Sequence, residues 1–181
     1  MAIYAAFLRA INVGGHIVKM DHLRSLFEEM GFSDVKTFIA SGNIIFNSNG
    51  NNVSTLEHKI EKSLNEALGY NVAVFIRLIS ELPEISECRP FKVERVGNEM
   101  AGSSIYIGFL KDEPAESVKT KLISLQTESE KFRFGGKELY WFCRIKFSDS
   151  AFSGPLLEKI LGMQITLRNS TTVKKMVSKF M

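Results

Sequence analysis

The order of apolar runs in residues 1–79 constrains the fold more than any other feature, because strand-length and helix-length patterns alternate with turn residues between them. Ile3 to Leu8 is a short run, apolar on both parities, as a buried strand requires. Asp21 to Met30 sets Leu23, Leu26, Phe27 and Met30 at helical spacing and stops at Gly31. Val35 to Ala40 and Ile44 to Phe46 flank Ser41-Gly42-Asn43, where Gly and Asn tolerate the positive φ of a hairpin turn. Ser54-Thr55-Leu56-Glu57 has the form of a capping box; it opens a helix with Leu56, Ile60, Leu64 and Leu68 on one stripe, and Gly69 ends it. Val72 to Leu78, β-branched and aromatic, completes β-α-β-β-α-β, the split βαβ plan of a ferredoxin-like unit.

The same order recurs less regularly. Ile105 to Leu110 reads as a strand, Pro114 to Leu125 as a helix with Pro at its start, and Gly135-Gly136 as a tight hairpin turn between two strands. Pro155 to Leu161 is a short helix and Gln164 to Leu167 a strand. From Thr171 a last helix carries Val173, Met176, Val177 and Phe180 on one face. The expected architecture is therefore an α+β fold of two ferredoxin-like (βαββαβ) lobes, 1–79 and 101–181, the second less regular and ending in a helix. Residues 80–100, with two prolines and much charge, connect them. A chain of 181 residues with 45% hydrophobic content can fill one sizeable core or two small ones, which excludes disorder as its main state.

Sheet faces extend the reading. Ile3, Ala5 and Phe7 point one way and Tyr4, Ala6 and Leu8 the other, so neither face of the first strand is polar. Helices cover one face. The other is expected to meet the second lobe, another copy of the chain in a homo-oligomer, or a ligand.

A net charge of +3 permits contact with nucleic acid but falls short of the basic excess of a dedicated binder. Asn43-Ile44-Ile45-Phe46-Asn47 also lacks the basic-glycine-aromatic run with which such sheets stack RNA bases, so nucleic acid is disfavoured as a partner. Cys88 and Cys143 form no CxxC pair, and His16, His22 and His58 are scattered, so no metal site and no disulfide framework are expected. The cysteines read as buried thiols of a cytoplasmic protein. Met1 to Leu8 has no basic leader and is broken by Arg9, which argues against export or a membrane partner. Gly14-Gly15 are followed by Lys19 without the Gly-Lys pair of a nucleotide-hydrolysing loop, and no dinucleotide fingerprint occurs, so no cofactor is implied.

The run from Leu8 to Met20, between the first strand and the first helix, is the densest group of special residues. Gly14 and Gly15 free the backbone and bare its N–H groups, while Arg9, Asn12, His16 and Lys19 supply donors around them, an arrangement suited to an anion. In a ferredoxin-like unit the first and third strands are neighbours, so this loop should lie beside Ser41-Gly42-Asn43. The plainer account is that the glycines only turn the chain and Asn43 stabilises its own hairpin. His16, with Asp21 nearby, is the one histidine placed to serve as a general base, and Ser41 the one hydroxyl beside it.

Leu8-Arg9-x-Ile11-Asn12-Val13-Gly14-Gly15-x-x-x-Lys19-Met20, Gly31-Phe32, Ile39-x-Ser41-Gly42-Asn43-x-x-Phe46 and Thr166-x-Arg168-Asn169 together resemble the bacterial domain-of-unknown-function 1697 family across essentially the whole chain. The resemblance implies two ferredoxin-like lobes and a small cytoplasmic protein, and carries no established activity. That family usually has a tryptophan after the asparagine corresponding to Asn169; here the position is Ser170, which removes any stacking contact. Arg168 and Asn169 match, and they precede a helix whose free N–H groups favour an anion; capping of that helix by Asn169 or Ser170 explains the same residues.

Three functions fit. In the first, a phosphorylated or other anionic ligand (nucleotide, sugar phosphate or nucleic acid) is held by Arg9, Asn12, Gly14, Gly15, Lys19, Ser41 and Asn43, with Arg168 and Asn169 from the second lobe. In the second, the same rim is an active site with His16 as base. In the third, the chain is an interaction or scaffold protein and the loop is structural.

Overall fold

The computed structural model describes residues 1–12, 15, 17–50, 52–88, 91 and 103–181. They form two compact units, Met1–Leu82 with Lys179–Met181, and Pro83–Ser178.

In the first unit β1 (Ala2–Leu8), α1 (Met20–Glu29), β2 (Ser33–Phe38), β3 (Asn43–Ser48), α2 (Val53–Leu68) and β4 (Val74–Leu78) follow in that order. The sheet runs β2-β3-β1-β4 with every neighbouring pair antiparallel, which is the ferredoxin-like topology. Tyr4, Ala6 and Leu8 of β1 pack with Leu23 and Phe27 of α1 and with Ile60 and Leu64 of α2. Phe46 on β3 centres an aromatic group, 4.6 Å from the Phe32 ring and 5.5 Å from that of Phe27. Each large side chain fully buried in this layer contributes roughly 1.5–3 kcal/mol. Ala5, Phe7, Ile45 and Phe75, on the other face of the sheet, are buried too.

Two local expectations are corrected. Asn52, not Ser54, caps α2: its Oδ1 accepts the Thr55 N–H at 2.9 Å, and Ser54 lies inside the helix. The supposed capping-box partner, Glu57, is buried and accepts the backbone N–H of Ile76 on β4. Strand β2 ends at Phe38, two residues before the apolar run does, because Ile39 adopts a left-handed conformation with φ 51°.

Between the repeats a 3-10 turn (Ile79–Glu81) leads into α3 (Leu82–Glu87), a short helix within the segment expected only to connect. Pro83 sits in its first turn, where a missing N–H costs nothing.

The second repeat comprises β5 (Ser104–Phe109), α4 (Glu116–Ser124), β6 (Glu130–Gly135), β7 (Glu138–Cys143), α5 (Gly154–Leu161), β8 (Thr166–Asn169) and α6 (Ser170–Phe180). Its sheet order, β6-β7-β5-β8, repeats that of the first, again antiparallel. Gly135 pairs with Glu138 across a two-residue turn in which Gly136 has φ 62°, the positive value a tight hairpin demands. The irregularity lies in a 3-10 turn (Phe147–Asp149) before α5 and in a last strand of only 4 residues. Trp141, Phe132, Leu122 and Leu157 fill its core. Gly108 on β5 leaves room for Ile165, whose Cδ1 would lie 2.4 Å from a Cβ there and would have to shift for any larger residue.

Candidate anion-binding rim

The rim is built where β1 leaves the sheet. Leu8 N–H donates to Gly42 O and Arg9 N–H to Ala73 O, both at 2.8 Å, so the chain exits between the β2–β3 hairpin and the approach to β4. Ala10 (φ 63°) and Asn12 (φ 55°) then turn it back.

Asn12 uses its whole amide to shape this turn. Its Oδ1 accepts the Val18 N–H at 2.7 Å, while Nδ2 donates to Val18 O at 3.2 Å and to Ala40 O at 2.7 Å. One side chain therefore closes the neck of the loop and fastens it to the hairpin, placing the loop beside Ser41-Gly42-Asn43 as the topology requires. Asn43 is fully buried, and its Nδ2 donates to Phe38 O at 3.0 Å and to Ser41 Oγ at 2.8 Å. Gly42 fits between the two segments because a Cβ there would lie 3.0 Å from Ile11 Cβ and 3.1 Å from Leu8 Cβ, and because its φ is 71°. Asn12, Ser41, Gly42 and Asn43 thus shape the rim by hydrogen bonding and close fit.

The charged and open positions are different ones. Arg9 enters the loop half-buried, and Lys19 leaves it exposed at the residue preceding α1. Arg9 and Lys19 thus stand at the two ends of the loop whose neck Asn12 closes at Val18. Gly15 is exposed with φ 89°, and nothing lies within 4 Å of where its Cβ would be. Gly14 and His16 lie outside the described residues, as does Val13.

Backbone strain concentrates here. Among the described residues the non-glycine positions with positive φ are Ala10, Asn12, Asp34 and Ile39, and all but Asp34 belong to this rim. Asn tolerates that region; alanine and β-branched isoleucine do not, at a cost of order 1–3 kcal/mol each. Sequence reasoning missed Ala10 and Ile39, and also Ile17, which is 88% exposed.

Arg168 and Asn169 belong to the second unit and have structural work within it. Arg168 is buried, its Nη1 donating to Thr166 Oγ1 at 2.8 Å and Leu167 O at 2.9 Å, and burial lowers its pKa to about 10. Asn169 Oδ1 accepts from the N–H and the hydroxyl of Thr171 at 2.9 and 2.8 Å, which caps the first turn of α6. Among the described residues no group of three His, Cys, Asp or Glu is placed to hold a metal ion, and no helix is long and apolar enough to cross a membrane.

A family model described as "Protein of unknown function (DUF1697)" matches residues 1–140. The conserved bacterial protein SP0830 from Streptococcus pneumoniae has a similar solved structure, with a TM-score of 0.77 and 25% sequence identity over 99% of this chain and 99% of that one. No curated protein matches the chain. Repeated βαββαβ topology, the loop and hairpin residues at the rim and the match over residues 1–140 agree: this chain belongs to the DUF1697 family of proteins of unknown function.

Proposed function

We propose that the rim of the first unit binds a phosphorylated or otherwise anionic ligand. The observation that carries this reading is the coincidence of strained backbone at Ala10 and Ile39 with a loop that has Arg9 at one end and the exposed Lys19 at the other. Strain of this kind persists where the surrounding structure enforces it, and it clusters at ligand clamps. Two cations at the ends of one loop supply charge-assisted hydrogen bonds to phosphate, and the exposed backbone at Gly15 adds an N–H. Asn12, Ser41 and Asn43 serve by holding this geometry. A thermal-shift screen of nucleotides, sugar phosphates and short oligonucleotides tests the reading. Ligands present at 100 times their Kd raise stability by about 2.7 kcal/mol, and the double variant Arg9→Ala, Lys19→Ala should lose that gain when each protein is compared with and without ligand. A broad screen without a single stabilising anion overturns it.

A further inference from the structure

We infer that the ligand of this rim is a nucleotide whose base lies against Ile17 and Ile39 while its phosphate meets Lys19. The inference rests on the anion reading above and names the ligand class for the same site.

Ile17 is 88% exposed and Ile39 50% exposed, although both are β-branched aliphatic residues suited to a core. Single apolar residues on a surface need no explanation, but these two share a location. Each directly precedes a residue whose carbonyl Asn12 holds, Val18 in one case and Ala40 in the other. Lys19 follows Val18, so one apolar side chain stands two residues from the cation and the second stands across the clamp.

The backbone at Ile39 is one that its side chain disfavours. Its φ of 51° is one that glycine or asparagine adopts at little cost and that a β-branched side chain resists. An exposed side chain kept on strained backbone is explained by what it contacts when the site is filled. Binding sites are mostly apolar, with a few polar groups fixing orientation; here two aliphatic side chains and one ammonium make an amphipathic opening. Inorganic phosphate or a sugar phosphate uses only the charge. A nucleotide uses both parts, offering a flat apolar base at one end and a dianion at the other.

Calorimetric titration of the full chain with adenosine monophosphate, ribose 5-phosphate and inorganic phosphate, all at one ionic strength, tests this. Adenosine monophosphate should bind at least ~10-fold tighter than ribose 5-phosphate, the difference expected for partial burial of two aliphatic side chains. Ile39→Gly and Ile17→Ser should each weaken the nucleotide about 10-fold and leave ribose 5-phosphate unchanged, with Ile39→Gly melting at or above the wild-type temperature. Equal affinity for the nucleotide and ribose 5-phosphate overturns the inference and leaves the anion reading intact. Silence from all three phosphates overturns the inference, and the anion reading then stands or falls with the broad screen. A melting temperature of Ile39→Gly well below wild type assigns the side chain to packing and overturns the inference as well.

Discussion

The carboxylate of Glu57 on α2 accepts the backbone N–H of Ile76 on the edge strand β4 at 2.9 Å. One turn further on, Glu61 does the same for Val74 at 2.9 Å, and Glu81 takes the N–H of Leu78 at 2.7 Å. An open strand edge is a template for another chain, and here successive outward N–H groups are closed by carboxylates. The second repeat uses the same device, with Glu158 accepting from Ile165 at 3.1 Å beside β8.

Glu57→Ala should therefore destabilise the first unit by about 1.5–3 kcal/mol, because it strips a charged acceptor from a buried N–H. Glu57→Gln keeps an acceptor oxygen and should cost less than half as much. Urea denaturation distinguishes the two variants; equal losses would mean that the N–H of Ile76 does not depend on this contact.

Removal of the Asn12 side chain should unfasten the rim. Three hydrogen bonds disappear in Asn12→Ala, and alanine must also hold φ 55°, so a loss of roughly 2–4 kcal/mol is expected. Asn12→Gly removes the same bonds without the backbone strain and should be the milder variant. Hydrogen exchange of the Val18 amide, now protected by Asn12 Oδ1, should accelerate in both; an unchanged rate would show that the clamp does not operate in solution.

Two glycines separate strain from clash. Gly31 (φ 87°) faces open space, whereas Gly42 (φ 71°) would bring a Cβ within 3.0 Å of Ile11. Gly31→Ala should cost about 1–2 kcal/mol, the penalty of left-handed backbone alone. Gly42→Ala should cost more, since Ile11 and Leu8 must also give way, and it should impair ligand binding. Equal melting temperatures for the two variants would refute the close fit of loop and hairpin.

The two thiols should behave oppositely. Cys88 is exposed and Cys143 buried, so a thiol reagent should titrate one group in the native protein and the second only on unfolding. Burial, aided by the Glu130 carboxylate, holds the Cys143 thiol above its ordinary value. The folded chain therefore keeps a proton that the unfolded chain releases above its ordinary thiol pKa of 9.0. Stability should be independent of this group at neutral pH and fall as pH rises through that value. Tyr140, pushed upward mainly by burial and then by its hydrogen bond with Cys88, adds to the decline at still higher pH. Cys143→Val should flatten the first part of the curve, and an unaltered slope between about pH 8 and 10 would exclude the thiol as its source.

Element order was legible in the sequence because it rests on periodicity and on turn residues with physical roles: Gly69 and Gly162 end α2 and α5 in left-handed conformation, and Pro155 starts α5. Adjacency of the Asn12 loop and the Ser41 hairpin followed from topology. What escaped were choices made by tertiary contact. Glu57 has the spacing of a cap but is drawn to Ile76, some 19 residues away, and Asn52 takes its place. Ile39 gives no local warning of positive φ, since every intrinsic preference of the residue opposes it. Asn12 and Asn43 were identified by type as polar groups of a site, yet their amides are used on backbone carbonyls of the rim itself.

The single tryptophan lies in the second unit, its ring 5.4 Å from those of Tyr106 and Phe147 and 5.9 Å from that of Phe132. The first unit, which carries the rim, has tyrosines and no tryptophan. Selectively excited indole emission is consequently a built-in optical label for one half of the molecule. A ligand that binds at the rim and still displaces the tryptophan melting curve would report, in a single cuvette, the free energy by which one half of the chain feels the occupancy of the other.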